Sequence, residues 1–324
     1  MQISYQIINK VTTLLLSSVL SCSCFAAYPD KPITLVVPFA PGGGTDSIAR
    51  DLAKSLTESL GQTIIVDNRG GGGGAIGAGL VSKAPADGYT LLFVTSTFVT
   101  HAATDTSLSY KVDKDFSPIA MIGRGPLMIV SSNTLHVKSI ADLIKVANEN
   151  PEGINYCSAG SGSINHLAGE LFKQKTNIKM THIPYKGSGP AVVDLLGGRV
   201  QVFFATVPTM LQYVESGRVT LLAMTSEKRS PLFPATPTAI ESGLPGFAIS
   251  TWWGVVAPPG TPLEIVNRLN AEIQLASRKD PLKSRLSNEG AQPYSSSPQE
   301  TQKLISTELK MWQDVAKSGG IKID

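Results

Sequence analysis

Short apolar runs rich in β-branched residues alternate with stretches of helical periodicity along nearly the whole chain, which restricts it to the α/β class. Ile33-Thr34-Leu35-Val36-Val37 is a strand candidate closed by Pro38. In the following stretch, 45–60, Ile48, Leu52, Leu56 and Leu60 share one helical face, and Gly61 supplies the stop. A strand at 63–66, a small-residue helix at 75–83 and a strand at 90–94 complete a βαβαβ order. That order predicts a parallel sheet of buried strands with right-handed crossovers.

Residues 116–131 read as two apolar runs split by Gly123-Arg124-Gly125-Pro126. A second α/β unit follows. Ser139 is placed to cap a helix that turns Ile140, Leu143, Ile144 and Ala147 inward. Strands at 154–157, 179–183, 200–204 and 219–225 then alternate with helices at 163–175, 190–196 and 208–216. A Pro-rich connection at 231–250 leads to a returning strand from Trp252 to Ala257, and helices at 262–277, 280–288 and 298–318 close the chain. These last helices have no sheet of their own, so they are expected to pack back on the first unit. The reading is two doubly wound α/β lobes, 28–127 plus 251–324 and 128–250, with a hinged cleft between them as the expected ligand site.

Residues 1–27 read as a secretory signal: Lys10, a ten-residue apolar run from Val11 to Leu20, and small residues before Ala27. Lipid anchoring at Cys22 is the alternative. Of three cysteines, Cys22 and Cys24 fall in this leader, so the mature chain keeps only Cys157 and has no internal disulfide. The full chain carries 28 basic and 25 acidic residues, a balance too small to argue for nucleic acid. The four histidines are dispersed without metal spacing, and no metal or cofactor is expected.

Glycine marks the candidate site, because 11 of the 30 glycines fall between Gly42 and Gly79. The loop Phe39-Ala40-Pro41-Gly42-Gly43-Gly44-Thr45-Asp46 joins a strand to a helix, so its backbone amides can form an anion nest at a positive helix end. The run Arg69 to Gly79 formally matches a dinucleotide fingerprint, but it follows the second strand rather than the first; close packing at the cleft rim fits it better. Ser158-Ala159-Gly160-Ser161-Gly162-Ser163, with His166 one turn on, repeats the strand–loop–helix pattern with hydroxyls added. Ser96-Thr97 and Thr206 stand at further strand ends, and Trp253 lies near the second crossover. Ser163 with His166 admits a hydrolase reading, although no G-x-S-x-G elbow accompanies it.

Seven motifs in order carry a resemblance. They are Tyr28-Pro29-Asp30-Lys31-Pro32-Ile33, Val37-Pro38-Phe39 with Gly42 to Asp46, Asp67-Asn68-Arg69, Ala86-Asp87-Gly88-Tyr89-Thr90-Leu91, Gly160 to Glu170, Pro184-Tyr185-Lys186-Gly187, and Ala257-Pro258-Pro259-Gly260-Thr261-Pro262. The chain resembles the periplasmic substrate-binding proteins of tripartite tricarboxylate transporters, the Bug family, over roughly 28–315. The resemblance implies a Venus flytrap of the type II periplasmic-binding-protein fold. It implies a non-enzymatic, monomeric receptor for a mono-, di- or tricarboxylate or an aromatic acid, served by a two-component permease. Carried onto matching positions, it implies ligand contacts from Phe39, Gly43, Gly44, Thr45 and Asp46 and from Ser158, Gly160, Ser161 and Ser163. One departure stands out. Many relatives carry Asp-Asn-Leu-Pro where this chain has Ala205-Thr206-Val207-Pro208, which argues against a ligand whose ammonium needs a carboxylate. An exported hydrolase and a sensory ligand module remain the rival readings.

Overall fold

The computed structural model describes residues 28–150, 153–288, 290–319 and 321; the expected leader, with Cys22, lies outside them. β1 (Ile33–Val37) leads through a glycine loop into α1 (Gly44–Leu60), whose buried face is Ile48, Leu52, Leu56 and Leu60. α1 stops at Gly61 in the left-handed region, with φ of 68°, where its N–H closes on the Thr57 carbonyl. β2 (Ile64–Asn68), α2 (Ala75–Val81) and β3 (Thr90–Thr95) follow, with β1 parallel to both β2 and β3.

α3 (Thr97–Thr104) was not expected from the sequence. Its residues TFVTHAAT are poor helix formers, but Phe98 and Val99 are buried and α3 packs against the last helix. Tertiary burial here overrides local propensity.

β4 (Ser117–Ser132) corrects the expectation of two separate runs: it is one strand of 16 residues. Ser117 to Pro126 pair with β9 (Ser250–Ala257), and Leu127 to Ser132 pair with β7 (Val202–Thr206) and β8 (Val219–Met224). The Gly-Arg-Gly-Pro stretch is therefore not a turn. Pro126 stands at the handover between partners, and added Cβ atoms on Gly123 and Gly125 would lie 2.9 Å from Leu286 and 3.1 Å from Ala291. Close packing, not a chain reversal, asks for glycine there.

Beyond the handover come α4 (Ile140–Glu149), β5 (Asn155–Ser158), α5 (Ile164–Thr176), β6 (Thr181–Pro184), α6 (Ser188–Leu196) and α7 (Val207–Glu215). β5 runs parallel to β6 and β7. The strand order is β2-β1-β3-β9-β4-β7-β5-β6, with β8 and the short β10 (Gln292–Pro293) both on β4. The result is a two-lobed mixed α/β fold, with β4 as the strand common to both halves. α8 (Leu263–Ser277), α9 (Leu282–Asn288) and α10 (Pro298–Gly319) return, as expected, to pack on α1, α3 and β4.

Two buried ties hold the crossing region. The Thr225 hydroxyl accepts the Leu127 N–H at 2.8 Å and donates to the Ile249 carbonyl at 2.6 Å, so one side chain clips both chain crossings together. The Trp252 indole N–H donates to Glu308 Oε2 at 2.6 Å, fastening β9 to α10. Burial raises the Glu308 carboxyl above the usual glutamate range against the pull of that hydrogen bond and of Arg124.

Candidate functional site

The cavity lies where the β1–α1 loop faces the β5–α5 loop. Ser47 makes the first helical bond of α1, to the Gly43 carbonyl, so the amides of Gly44, Thr45 and Asp46 precede the helical ladder. The N-cap is Gly43 and brings no side chain to cover them. An added Cβ on Gly44 would stand 2.5 Å from Pro208 Cβ, so only glycine lets this jaw meet α7.

Asp46, 5% exposed, organises the loop. Its Oδ2 accepts the Gly42 N–H at 3.1 Å and Arg50 Nε at 3.0 Å, and its Oδ1 accepts Asn68 Nδ2 at 2.9 Å. Asn68 also donates to the Phe39 carbonyl. Burial opposes ionisation of Asp46, but the hydrogen bonds from Arg50, Asn68 and Gly42 outweigh it and hold the carboxyl below the usual aspartate range. The charge next to the loop amides is thus already compensated by Arg50.

The enclosed space is about 20 Å³, room for about one water, so the two jaws are closed on each other. Phe39, Gly43, Thr45 and Asp46 line it from the first jaw, with Thr97 at the start of α3 and Thr206 at the end of β7. Gly44 instead faces α7 in a neighbouring groove. Ala159, Ile164, Asn165 and Ser188 form the opposite wall, and Thr95 and Thr251 complete it. Among these, sequence reasoning missed Ala159, Ile164, Asn165, Ser188, Thr95 and Thr251. Thr95 sits at a strand end, a readable signal; Ser188 opens α6 after Gly187, a weaker one. Asn165 and Thr251 become wall residues only through packing. Every wall residue contributed by the described chain is neutral except Asp46.

The remaining expected residues lie elsewhere. Gly160 and Ser161 line an outer pocket of about 360 Å³ together with Lys186 and the 71–74 glycines. Ser158, Ser163 and His166 face into the loop rather than the cavity. Ser158 Oγ accepts the Gly160 N–H at 3.1 Å and lies 2.6 Å from His182 Nε2; Ser163 Oγ accepts the backbone N–H of His166; His166 Nδ1 accepts the Gly162 N–H at 3.1 Å. Ser96 is fully buried behind the wall and holds Thr251 by a 2.9 Å hydroxyl pair. Trp253 belongs to the core, 1% exposed, and does not reach the cavity wall. An alternating strand buried on both faces explains the difference, since Trp252 and Trp253 both find packing. Cys157 is buried with its thiol against the Val202 carbonyl, and burial pushes its pKa up, away from thiolate reactivity.

Positive φ at Gly71 to Gly74, with close backbone approach at Gly70 and Gly73, accounts for the 70–74 run. A Cβ on Gly73 would collide with His101 and stand 2.5 Å from the Ser161 carbonyl, and one on Gly70 would stand 3.0 Å from Ala40 N. Gly73 and Gly160 thus meet across the rim, and Gly187 approaches Ala40 in the same way. Two hydrogen bonds latch the jaws: Thr100 Oγ1 donates to the Gly162 carbonyl at 2.7 Å, and the Ile164 N–H donates to Thr97 Oγ1 at 3.3 Å.

The sequence model of the family described as "Tripartite tricarboxylate transporter family receptor" matches residues 48–321. The chain belongs to this family. The receptor is 40% identical over 298 residues to BugT of Bordetella pertussis, covering 91% of each chain. Its fold is similar to that of the periplasmic binding protein BugD, at TM-score 0.88 and 34% identity, covering 91% of this chain and 99% of that one. It is equally similar to Rpa4515 of R. palustris, solved with adipate, at TM-score 0.88 and 39% identity with the same coverage. The family is one of periplasmic solute-binding receptors rather than enzymes. No helix among the described residues is long and apolar enough to cross a membrane.

Proposed function

We propose that the receptor captures a small organic carboxylate between the start of α1 and the Ala159–Asn165 wall and passes it to a two-component membrane permease. In this reading residues 1–27 direct export to the periplasm. The lobes are 28–127 with 251–324, and 128–250; β4 and the start of β9 act as the hinge. The mature chain works as a monomer. The observation that carries the reading is the uncapped helix start: the amides of Gly44, Thr45 and Asp46 precede the helical ladder at the positive end of α1, beside a cavity whose one charged wall residue, Asp46, is already paired with Arg50. Gly43, Gly44, Thr45 and Asp46 would supply the amides, and Thr97 and Thr206 the hydroxyls, with Phe39 covering the apolar part of the ligand. Adipate in the Rpa4515 structure supports a carboxylate of this size class. The cavity must widen to admit it, which lobe opening provides.

The wall offers no open carboxylate for an ammonium group. Asp46 has its oxygens occupied by three donors, and position 206 carries a threonine whose hydroxyl pairs with Thr209 at 2.8 Å. A thermal-shift panel of mono-, di-, tri- and aromatic carboxylates, with aspartate and glutamate included, tests the reading. A saturating rise in Tm with an ammonium-free acid is expected. Tight binding of aspartate or glutamate instead would overturn the ligand class, and ester turnover abolished by Ser163→Ala would replace the receptor reading by a hydrolase.

A further inference from the structure

The imidazoles of His166 and His182 stack face to face, with ring centroids 3.9 Å apart and planes 14° from parallel. They come from different elements, α5 and β6, and neither lines the ligand cavity. Both instead end in the loop that forms the second jaw. His166 Nδ1 accepts the Gly162 N–H, while the N-cap Ser163 Oγ accepts the His166 N–H, so two backbone donors are satisfied at the start of α5. His182 Nε2 sits 2.6 Å from Ser158 Oγ, and that oxygen in turn holds the Gly160 N–H at 3.1 Å and its carbonyl at 3.0 Å. Gly160 and Gly162 are the two residues of this loop with positive φ, 134° and 74°. The histidine pair therefore satisfies the loop where its backbone departs most from ordinary geometry.

The same Gly162 presents its carbonyl to Thr100 on the other jaw. We propose that His166 and His182 are positioning residues for closure: they fix the Ser158–Gly162 loop so that the Gly162 carbonyl meets the Thr100 hydroxyl when the jaws shut. The inference rests on the receptor reading given above. It assigns the pair a role in setting affinity without touching the ligand. The His166 ring must be neutral to do this, because a protonated Nδ1 could no longer accept from Gly162. Burial keeps both rings neutral: it lowers His166 to about 4, and burial together with the neighbouring His166 and Lys173 lowers His182 to about 3.

Two substitutions separate positioning from packing. His166→Asn keeps an acceptor near Nδ1 and loses the ring; His166→Phe keeps the stacked ring and loses the acceptor. Wild type and both variants are titrated with adipate by calorimetry and melted without acid, and the Gly162 amide is followed in the ¹⁵N–¹H spectrum. Loss of the acceptor should weaken adipate binding about tenfold in the Phe variant, while the Asn variant stays within about threefold. The acid-free Tm should not follow that order. The Gly162 amide should keep its exchange protection in the Asn variant and lose it in the Phe variant. Phe binding as wild type does, or a folded Asn variant as weak as Phe, would overturn the proposal. If wild type ignores adipate, that result counts against the receptor reading for this acid, and the Gly162 amide alone decides the positioning claim: protection unchanged in the Phe variant would sink it.

Discussion

Gly44→Ala attacks closure without attacking the fold. Gly44 is the first residue of α1, in ordinary helical backbone, so alanine is locally favourable there by up to ~1 kcal/mol. The added methyl, however, would stand 2.5 Å from Pro208 Cβ and 3.0 Å from Thr209 N, against ~3.5–4.0 Å for unstrained contact. The jaws must therefore stay apart by about 1 Å, and overpacking of that kind costs roughly 1–3 kcal/mol. Because that cost falls only on the closed state, it should appear as a ~5- to 150-fold weaker affinity for the acid. Gly79→Ala in α2 is the control away from the cavity: its Cβ would lie 3.8 Å from Ser109 Oγ and from the Tyr110 ring, ordinary contact distances. Calorimetric titration and melting curves of both variants decide the matter. The reasoning fails if Gly44→Ala binds like wild type, or if it loses acid-free stability rather than affinity.

Other consequences follow from the buried polar groups. His166 and His182, lowered to about 4 and about 3, charge more readily unfolded than folded. The stability they contribute is present above about 6.5, the unfolded value, and is lost as pH falls through that window toward 4; melting of wild type against the His166→Asn/His182→Gln double variant from pH 7 to 4.5 should show the flatter slope in the double variant. Asp46→Ala removes the acceptor of Gly42, Arg50 and Asn68 at once, and should cost about 1–3 kcal/mol in urea unfolding and weaken acid binding as well. Glu308→Ala leaves the Trp252 indole N–H buried without its partner and should cost about 1–3 kcal/mol with acid affinity unchanged, read by the same unfolding curve and titration.

The alternation of strands and helices was legible because each element carries its own period: Ile48, Leu52, Leu56 and Leu60 can only face one side of a helix. The C-terminal return was legible because those helices had nothing else to cover. β4 was not, because Gly123, Gly125 and Pro126 look like punctuation and their need comes from α9 and the handover between sheets. α3 was hidden for the opposite reason, its β-branched residues being forced into a helix by burial. In the site, the first jaw was readable from its glycines and Asp46. The second jaw was readable as a strand–loop–helix unit but not in its detail. Which face Ser158, Ser163 and His166 present depends on His182, a residue from the next strand that no local pattern connects to them.

The central claim is that the amides at the start of α1 hold the carboxylate. Titrating a ¹⁵N-labelled chain lacking residues 1–27 with adipate, and following backbone amides, tests it most directly. The account predicts saturable changes, largest at Gly44, Thr45 and Asp46, with smaller ones at Gly162 as the jaws close. Saturable binding that moves the amides around Lys186 and the outer pocket while leaving Gly44 to Asp46 unperturbed would contradict it.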